Sequence, residues 1–164
     1  MPLSLQFAEL LRYSNGEREK WRGWLLLHPE AMDVPVQPGN RHATVGKLID
    51  HIFLVERRHV QRLMDVPVAS LTGLTGNNAP PLFDYGASVR RELEQYVADL
   101  DDEIADQVRR FEVREQQWAM SSRKLLFHVL LHEMRHWAQI ALAARVAGIE
   151  PPGEHDLFYS KAFR

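Results

Sequence analysis

Apolar residues along this chain recur at helical rather than strand spacing. Between Leu3 and Leu27 the positions Leu3, Phe7, Leu10, Leu11, Trp21, Trp24 and Leu25 fall largely three or four apart. That spacing predicts a first helix, locally weak at Tyr13-Ser-Asn-Gly16. From His28 to His42 the run of Pro29, Pro35, Pro38 and Gly39 cannot extend a helix and marks a loop. Thr44 then opens a second helix with an inner stripe of Val45, Leu48, Ile49, Ile52, Val55, Val60 and Leu63. Glu56, Arg57, Arg58 and Arg62 are expected on its solvent side, and it should end before Pro67. Residues 66 to 81 hold Pro67, Gly73, Gly76, Pro80 and Pro81, with Asn77 and Asn78, and read as a crossover between helices. Asp84 is expected to cap a third helix lined by Val89, Leu93, Tyr96, Val97, Leu100 and Ile104. Between Val108 and Met120, Phe111 and Val113 alternate with charged neighbours and Trp118 and Met120 with small or polar ones, so a short hairpin competes with an irregular loop, the hairpin being preferred. Ser121 or Ser122 caps a fourth helix through Leu125, Val129, His132, His136, Gln139, Ile140 and Ala143, stopping at Gly148 before Pro151-Pro152.

Four amphipathic stretches with two long links and almost no strand signal predict an all-α fold, a four-helix bundle with a long crossover loop. The tail from Glu150 to Arg164 intersperses Leu157, Phe158, Tyr159 and Phe163 among polar residues and is expected to pack on the bundle. A length of 164 residues, 45% hydrophobic and 26% charged, fits a single domain spanning 1–164. Lys and Arg number 20 against 22 Asp and Glu, too balanced for the basic surface that phosphate-backbone binding demands, so no nucleic-acid partner is expected. With no basic leader and no run of about 20 apolar residues, the expectation is a cytoplasmic protein without a membrane partner. The chain has no cysteine, which removes disulfides, thiolate ligands and a cysteine nucleophile together.

The candidate chemistry lies in the eight histidines. His132 and His136, four apart on the fourth helix, differ by about 40° in azimuth and share a face with Leu125, Val129, Ile140 and Ala143. Two imidazoles one turn apart are good ligands for one zinc or nickel ion. His51, between Leu48 and Val55 on the second helix, should point into the same core. Three such histidines make a tripod with an open fourth position, and the alternative is a set of hydrogen-bonded core histidines. His59 and His128 extend the same faces as core or supporting residues, whereas His28, His42 and His155 are expected to be ordinary surface residues. The stretch His132-Glu-Met-Arg-His136 also spells the zinc-peptidase pattern in which Glu133 would act as general base. Against it stand the lack of a strong strand before the motif and the position of Glu154, the nearest downstream carboxylate, beyond Pro151-Pro152. Glu133 is otherwise read as a solvent-facing neighbour of Trp137.

Two helical stretches and a terminal turn carry a resemblance: Leu48-Ile-Asp-His51-Ile-Phe-Leu-Val-Glu56-Arg57, Leu131-His132-Glu-Met-Arg-His136-Trp-Ala-Gln139-Ile140, and Gly148-Ile-Glu-Pro-Pro152. The chain resembles the DinB/YfiT-like family in these motifs and, over most of its length, in helix order. The resemblance implies an up-down-down-up four-helix bundle with a divalent metal held by His51, His132 and His136. It implies a metal-dependent enzyme acting on a small molecule, of transferase, isomerase or hydrolase type. A low-molecular-weight thiol is an implied cosubstrate, since relatives include a mycothiol-dependent maleylpyruvate isomerase and proposed bacillithiol transferases. A homodimer is implied as well, through long helix faces; Trp21 and Trp24 are either part of such a face or ordinary core. Many members place Arg-Gly between the last histidine and the glutamine, where this chain has Trp137-Ala138. A non-catalytic module with a structural metal is the reading from a different functional class.

Overall fold

A computed structural model describes residues 6–36, 39, 42–68 and 78–162. The first helix, α1, spans Phe7–Leu27 and runs without a break through Gly16. The expected weak stretch is held because Ser14, Asn15, Glu17 and Arg18 are tied by their side chains to other helices or to the tail. A 3-10 turn at Pro29–Asp33 and a single bridge between Pro35 and Thr44 lead into α2, Val45–Leu63. Thr44 caps α2 as its sequence position predicts, its hydroxyl oxygen accepting from the Lys47 amide at 3.3 Å.

The third long helix, α3, spans Ala79–Ala98 and starts earlier than expected. Asn78, not Asp84, precedes it, and Pro80 and Pro81 lie in its first turn, where a missing N–H costs nothing. Ile104 is likewise not on the inner stripe of α3. It sits 36% exposed in a separate short helix, α4 (Asp102–Asp106), whose Asp101 cap accepts from the Ile104 amide at 2.7 Å.

The hairpin is present as β1 (Val108–Val113) paired antiparallel with β2 (Gln116–Ser121). Its two-residue turn puts Arg114 and Glu115 at φ of 52° and 62°, the left-handed geometry that matches strand twist. The last long helix, α5, spans Ser122–Val146, with Ser121 accepting from the Lys124 amide at 3.2 Å. Gly148 at φ 76° then reverses the chain, and the Ile149 amide closes on the Ala144 carbonyl at 2.9 Å.

The order of contacts along each helix gives the topology. One apolar cluster is built around Trp21, Phe53, Phe83 and Trp137, and a second around Leu10, Val60, Leu93 and Leu125. Helices α1 and α5 pass from the second cluster to the first as the chain advances, whereas α2 and α3 pass from the first to the second. This is the up-down-down-up bundle. Phe53 crosses so close to α3 that a Cβ on Gly86 would lie 2.8 Å from its ring, so only glycine fits there.

Between the two clusters each of the four long helices contributes a charged residue. Glu56 is 1% exposed and therefore not on the solvent side of α2, contrary to the periodicity reading. It is ion-paired with Arg18 and Arg90, which both also reach Glu133. Val55 is only half-buried. Trp21 and Trp24 belong to the chain's own core, at 0% and 8% exposure, and offer no face to a second copy. The tail packs on the bundle as expected: Trp24 Nε1 donates to the Glu150 carbonyl at 2.8 Å and Lys20 Nζ to the Glu154 carbonyl at 2.5 Å. Leu3, Pro38, Phe163 and the middle of the crossover, 69–77, lie outside the described residues. No helix among the described residues is long and apolar enough to cross a membrane.

Candidate metal centre

Helices α2 and α5 pack side by side, and their facing stripes bring His51, His132 and His136 together. His132 Nε2 lies 3.3 Å from His51 Nε2 and 3.1 Å from His136 Nε2. One ring nitrogen from each of the three falls within 4.8 Å of the others. This is the set that helical spacing alone singled out.

The donor set fits a divalent cation. Four ligands at about 2.0–2.1 Å in a tetrahedron stand roughly 3.3–3.4 Å apart, close to both separations here. The His136 Nδ1 lies 2.7 Å from Gln139 Oε1, which can only accept. Nδ1 therefore carries the proton and Nε2 turns its lone pair inward. Neutral imidazoles are the ligating form, and their surroundings keep two of the three neutral. Burial, then the neighbouring His136 and His128, pushes His132 down to about 3. Burial also lowers His136, against the opposing hydrogen bond to Gln139. Replacing Gln139 by Leu is expected to weaken metal binding about 10–100-fold by freeing the His136 ring, as removal of such outer partners does elsewhere. Competition with a chelator measures it, and the melting temperature of the metal-free protein should hardly move.

Other histidines are arranged around the tripod. His128 packs 5.5 Å from His132 and His59 lies 5.2 Å from His128, ring centre to ring centre. His42 was expected to be an ordinary surface residue, but its ring stacks on His51 at 4.0 Å. A loop histidine gives no periodic signal of its own, so nothing in the sequence marked it. His155 is no free surface residue either. It pairs with Glu17 at 2.6 Å and stacks on Trp21 at 5.1 Å. His28 stays at the surface beside Glu30.

Glu133 does not face the tripod. One residue on from His132, it is turned about 100° round the helix and is 1% exposed. Its two oxygens accept from Arg18 at 2.6 and 3.0 Å, Arg90 at 2.7 Å, Ser14 at 2.9 Å and Trp137 Nε1 at 3.0 Å. Burial alone would raise its pKa, but the Arg18 and Arg90 guanidiniums and these hydrogen bonds more than reverse that and hold it well below the ordinary range. A carboxylate so committed neither faces solvent nor activates a water at the histidines, and both sequence readings of Glu133 fall. The detectable signal was Arg18 and Arg90, charged residues set among apolar neighbours on helix stripes. Trp137 is likewise core, 4% exposed and stacked on Trp21 at 5.4 Å.

Beside the tripod, α2 and the hairpin enclose a cleft of about 920 Å³ whose walls include His42, His51, His59 and Trp118. Burial, then Arg62, then His128, lowers His59 to about 3. Folding stability of the metal-free protein therefore depends on pH with a definite sign. Above about 6.5 these histidines are neutral in both states and contribute nothing. Below it the unfolded chain takes up protons that folded His59 and His132 refuse, so stability falls from about pH 6.5 down towards about 3. At pH 5.5 the loss is roughly 1 kcal/mol per histidine. Urea midpoints at pH 7.5 and 5.5 measure it, and His59→Asn should shrink the difference.

The sequence profile of the DinB family matches residues 1–162. A DinB-like protein from Bacillus cereus superposes with a TM-score of 0.64 at 20% identity, over 88% of this chain and 95% of that chain. A DinB-like protein from Bacillus subtilis does so with a TM-score of 0.55 at 13% identity, over 90% of this chain and 97% of the other. At these identities the likeness to both structures is one of fold. No curated protein matches the sequence.

Proposed function

We propose that this chain, which belongs to the DinB family, is a metal-dependent enzyme acting on a small molecule, with a divalent cation held by His51, His132 and His136. The observation that carries this reading is the convergence of three imidazole nitrogens, two pairs of them 3.1 and 3.3 Å apart. Burial keeps these imidazoles neutral, and with each ring's single proton on Nδ1, as in His136, the facing Nε2 lone pairs repel unless a cation sits among them. Zinc or nickel suits an all-imidazole donor set. When bound, such a cation supplies Lewis acidity, lowering the pKa of a water or thiol that reaches its open position.

The chain's own residues then have separate tasks. Gln139 orients His136, His42 covers His51, and the cleft between α2 and the hairpin admits the substrate. That open cleft favours a catalytic centre over a closed structural one. Transfer or isomerisation with a low-molecular-weight thiol suits a chain without cysteine, because the nucleophile arrives with the cosubstrate. A cytoplasmic location, where small thiols stay reduced, fits the same reading. The homodimer is proposed as well. Its apolar contact would come from exposed Leu131 and Leu142, eleven residues apart on one stripe of α5, and sedimentation at micromolar concentration tests it.

Elemental analysis of protein purified without a histidine tag tests the metal. Thiol-transfer and hydrolase screens with the bound ion then test the chemistry. A full equivalent of zinc or nickel together with thiol-dependent turnover is the expected result, and metal-free protein with full activity would overturn it.

A further inference from the structure

The tripod is one end of a longer row of side chains on α2. Arg58 and Arg62 lie seven and eleven residues after His51, positions that return to within about 20° of it round the helix. All three line the same cleft. At about 1.5 Å rise per residue, Arg58 is roughly 10 Å and Arg62 roughly 16 Å along the axis from His51.

The cleft is positive although the chain as a whole carries a formal charge of -2. Its described lining carries four cationic side chains, Lys47, Arg58, Arg62 and Arg114, and two carboxylates, Asp50 and Glu112. Glu112 already accepts from Gln117 Nε2 at 2.9 Å. Arg62 is poorly satisfied within the chain: its guanidinium lies 5.2 Å over the Phe111 ring, and its Nε–H is buried without an acceptor. A buried charged donor left unmade costs free energy, and two like charges one turn apart add to the cost. Burial and the Arg58 charge both press the Arg62 pKa downward, in keeping with that strain. An anion between the two arginines would relieve both terms through charge-assisted hydrogen bonds. The remaining wall is apolar, with Leu54 and Val55 on α2 and the 46% exposed Trp118 on the hairpin.

We propose that this cleft binds a small organic anion, its carboxylate or phosphate held by Arg58 and Arg62, its apolar body against Leu54, Val55 and Trp118, and its other end towards the histidine tripod. The inference rests on the proposed function only in making that anion the substrate.

Calorimetric titration with phenylacetate, phenyl phosphate and the neutral phenylacetamide tests it, on tag-free protein as purified and after chelation. At least one anion should bind about tenfold or more tighter than the amide in both preparations, and the tighter of the two identifies the headgroup. The preference should collapse in Arg62→Gln and Arg58→Gln, survive in Arg145→Gln on another face, and weaken with added salt while amide binding does not. Melting curves and metal content should match wild type. If Arg62→Gln fails to fold, Arg58→Gln and the salt series carry the test. Equal affinity for anions and amide, or a preference unchanged in both arginine variants, overturns the proposal. Purified protein without metal but with an arginine-dependent preference would instead remove the metal function and leave the anion site standing.

Discussion

The variant His132→Ala is expected to lose its metal. His132 is the central member of the tripod, within 3.3 Å of His51 and 3.1 Å of His136 through the same nitrogen, so its removal leaves only two of the three imidazole ligands. Loss of an outer hydrogen-bond partner already weakens metal binding about 10–100-fold, and loss of a ligand should exceed that. Elemental analysis of tag-free protein should fall from a full equivalent to a small fraction. The comparison variant is His155→Ala. That imidazole is engaged with Glu17 and Trp21 and is not part of the tripod, so its removal should cost some stability and no metal. Equal metal content in the two variants would refute the assignment.

The largest effect on stability is expected at Glu133. Its carboxylate is the shared acceptor for Arg18 and Arg90, with Glu56 completing a buried group of two positive and two negative charges. Replacing Glu133 by Gln keeps the shape but leaves two buried guanidiniums facing one carboxylate. Breaking a buried ion pair on one side costs about 3–5 kcal/mol. Against a total of about 5–15 kcal/mol for a domain, this is a large fraction of folding stability. At about 2–4 °C per kcal/mol for a chain of this size, melting should fall by roughly 6–20 °C. Metal should remain bound below that temperature, because Glu133 touches none of the tripod. A zinc peptidase would behave in the opposite way, with unchanged melting and abolished peptide hydrolysis, and that outcome would restore Glu133 as a general base.

Much of the bundle was legible in the sequence because the signals involved are local. Periodicity within a helix reports which face is apolar, and that placed α1, α2 and α5 to within a few residues. The caps at Thr44 and Ser121 need only an amide three residues on, so their positions followed from the residue type. The pair His132 and His136 was assigned to one face by helix geometry alone, and His51 by its place on the apolar stripe of α2. Where two signals competed, the reading failed. Asp84 has the residue type of a cap, but Pro80 and Pro81 had already begun the helix.

Tertiary structure decided which polar residues lie inside. Glu56 sits at the edge of the α2 stripe, and a carboxylate there is solvent-facing or buried according to whether a cation meets it. Its partners, Arg18 and Arg90, lie 38 and 34 residues away, on α1 and α3. Glu133 differs from His132 by a single position, yet Arg18, 115 residues before it, turns its carboxylate away from the tripod and into the core. His42 comes to His51 from a loop with no period to read. Spacing along one helix determines which side chains share a face. Whether a charge on that face is buried depends on the desolvation it suffers and the opposite charge that compensates it, and both are supplied by residues distant in the chain.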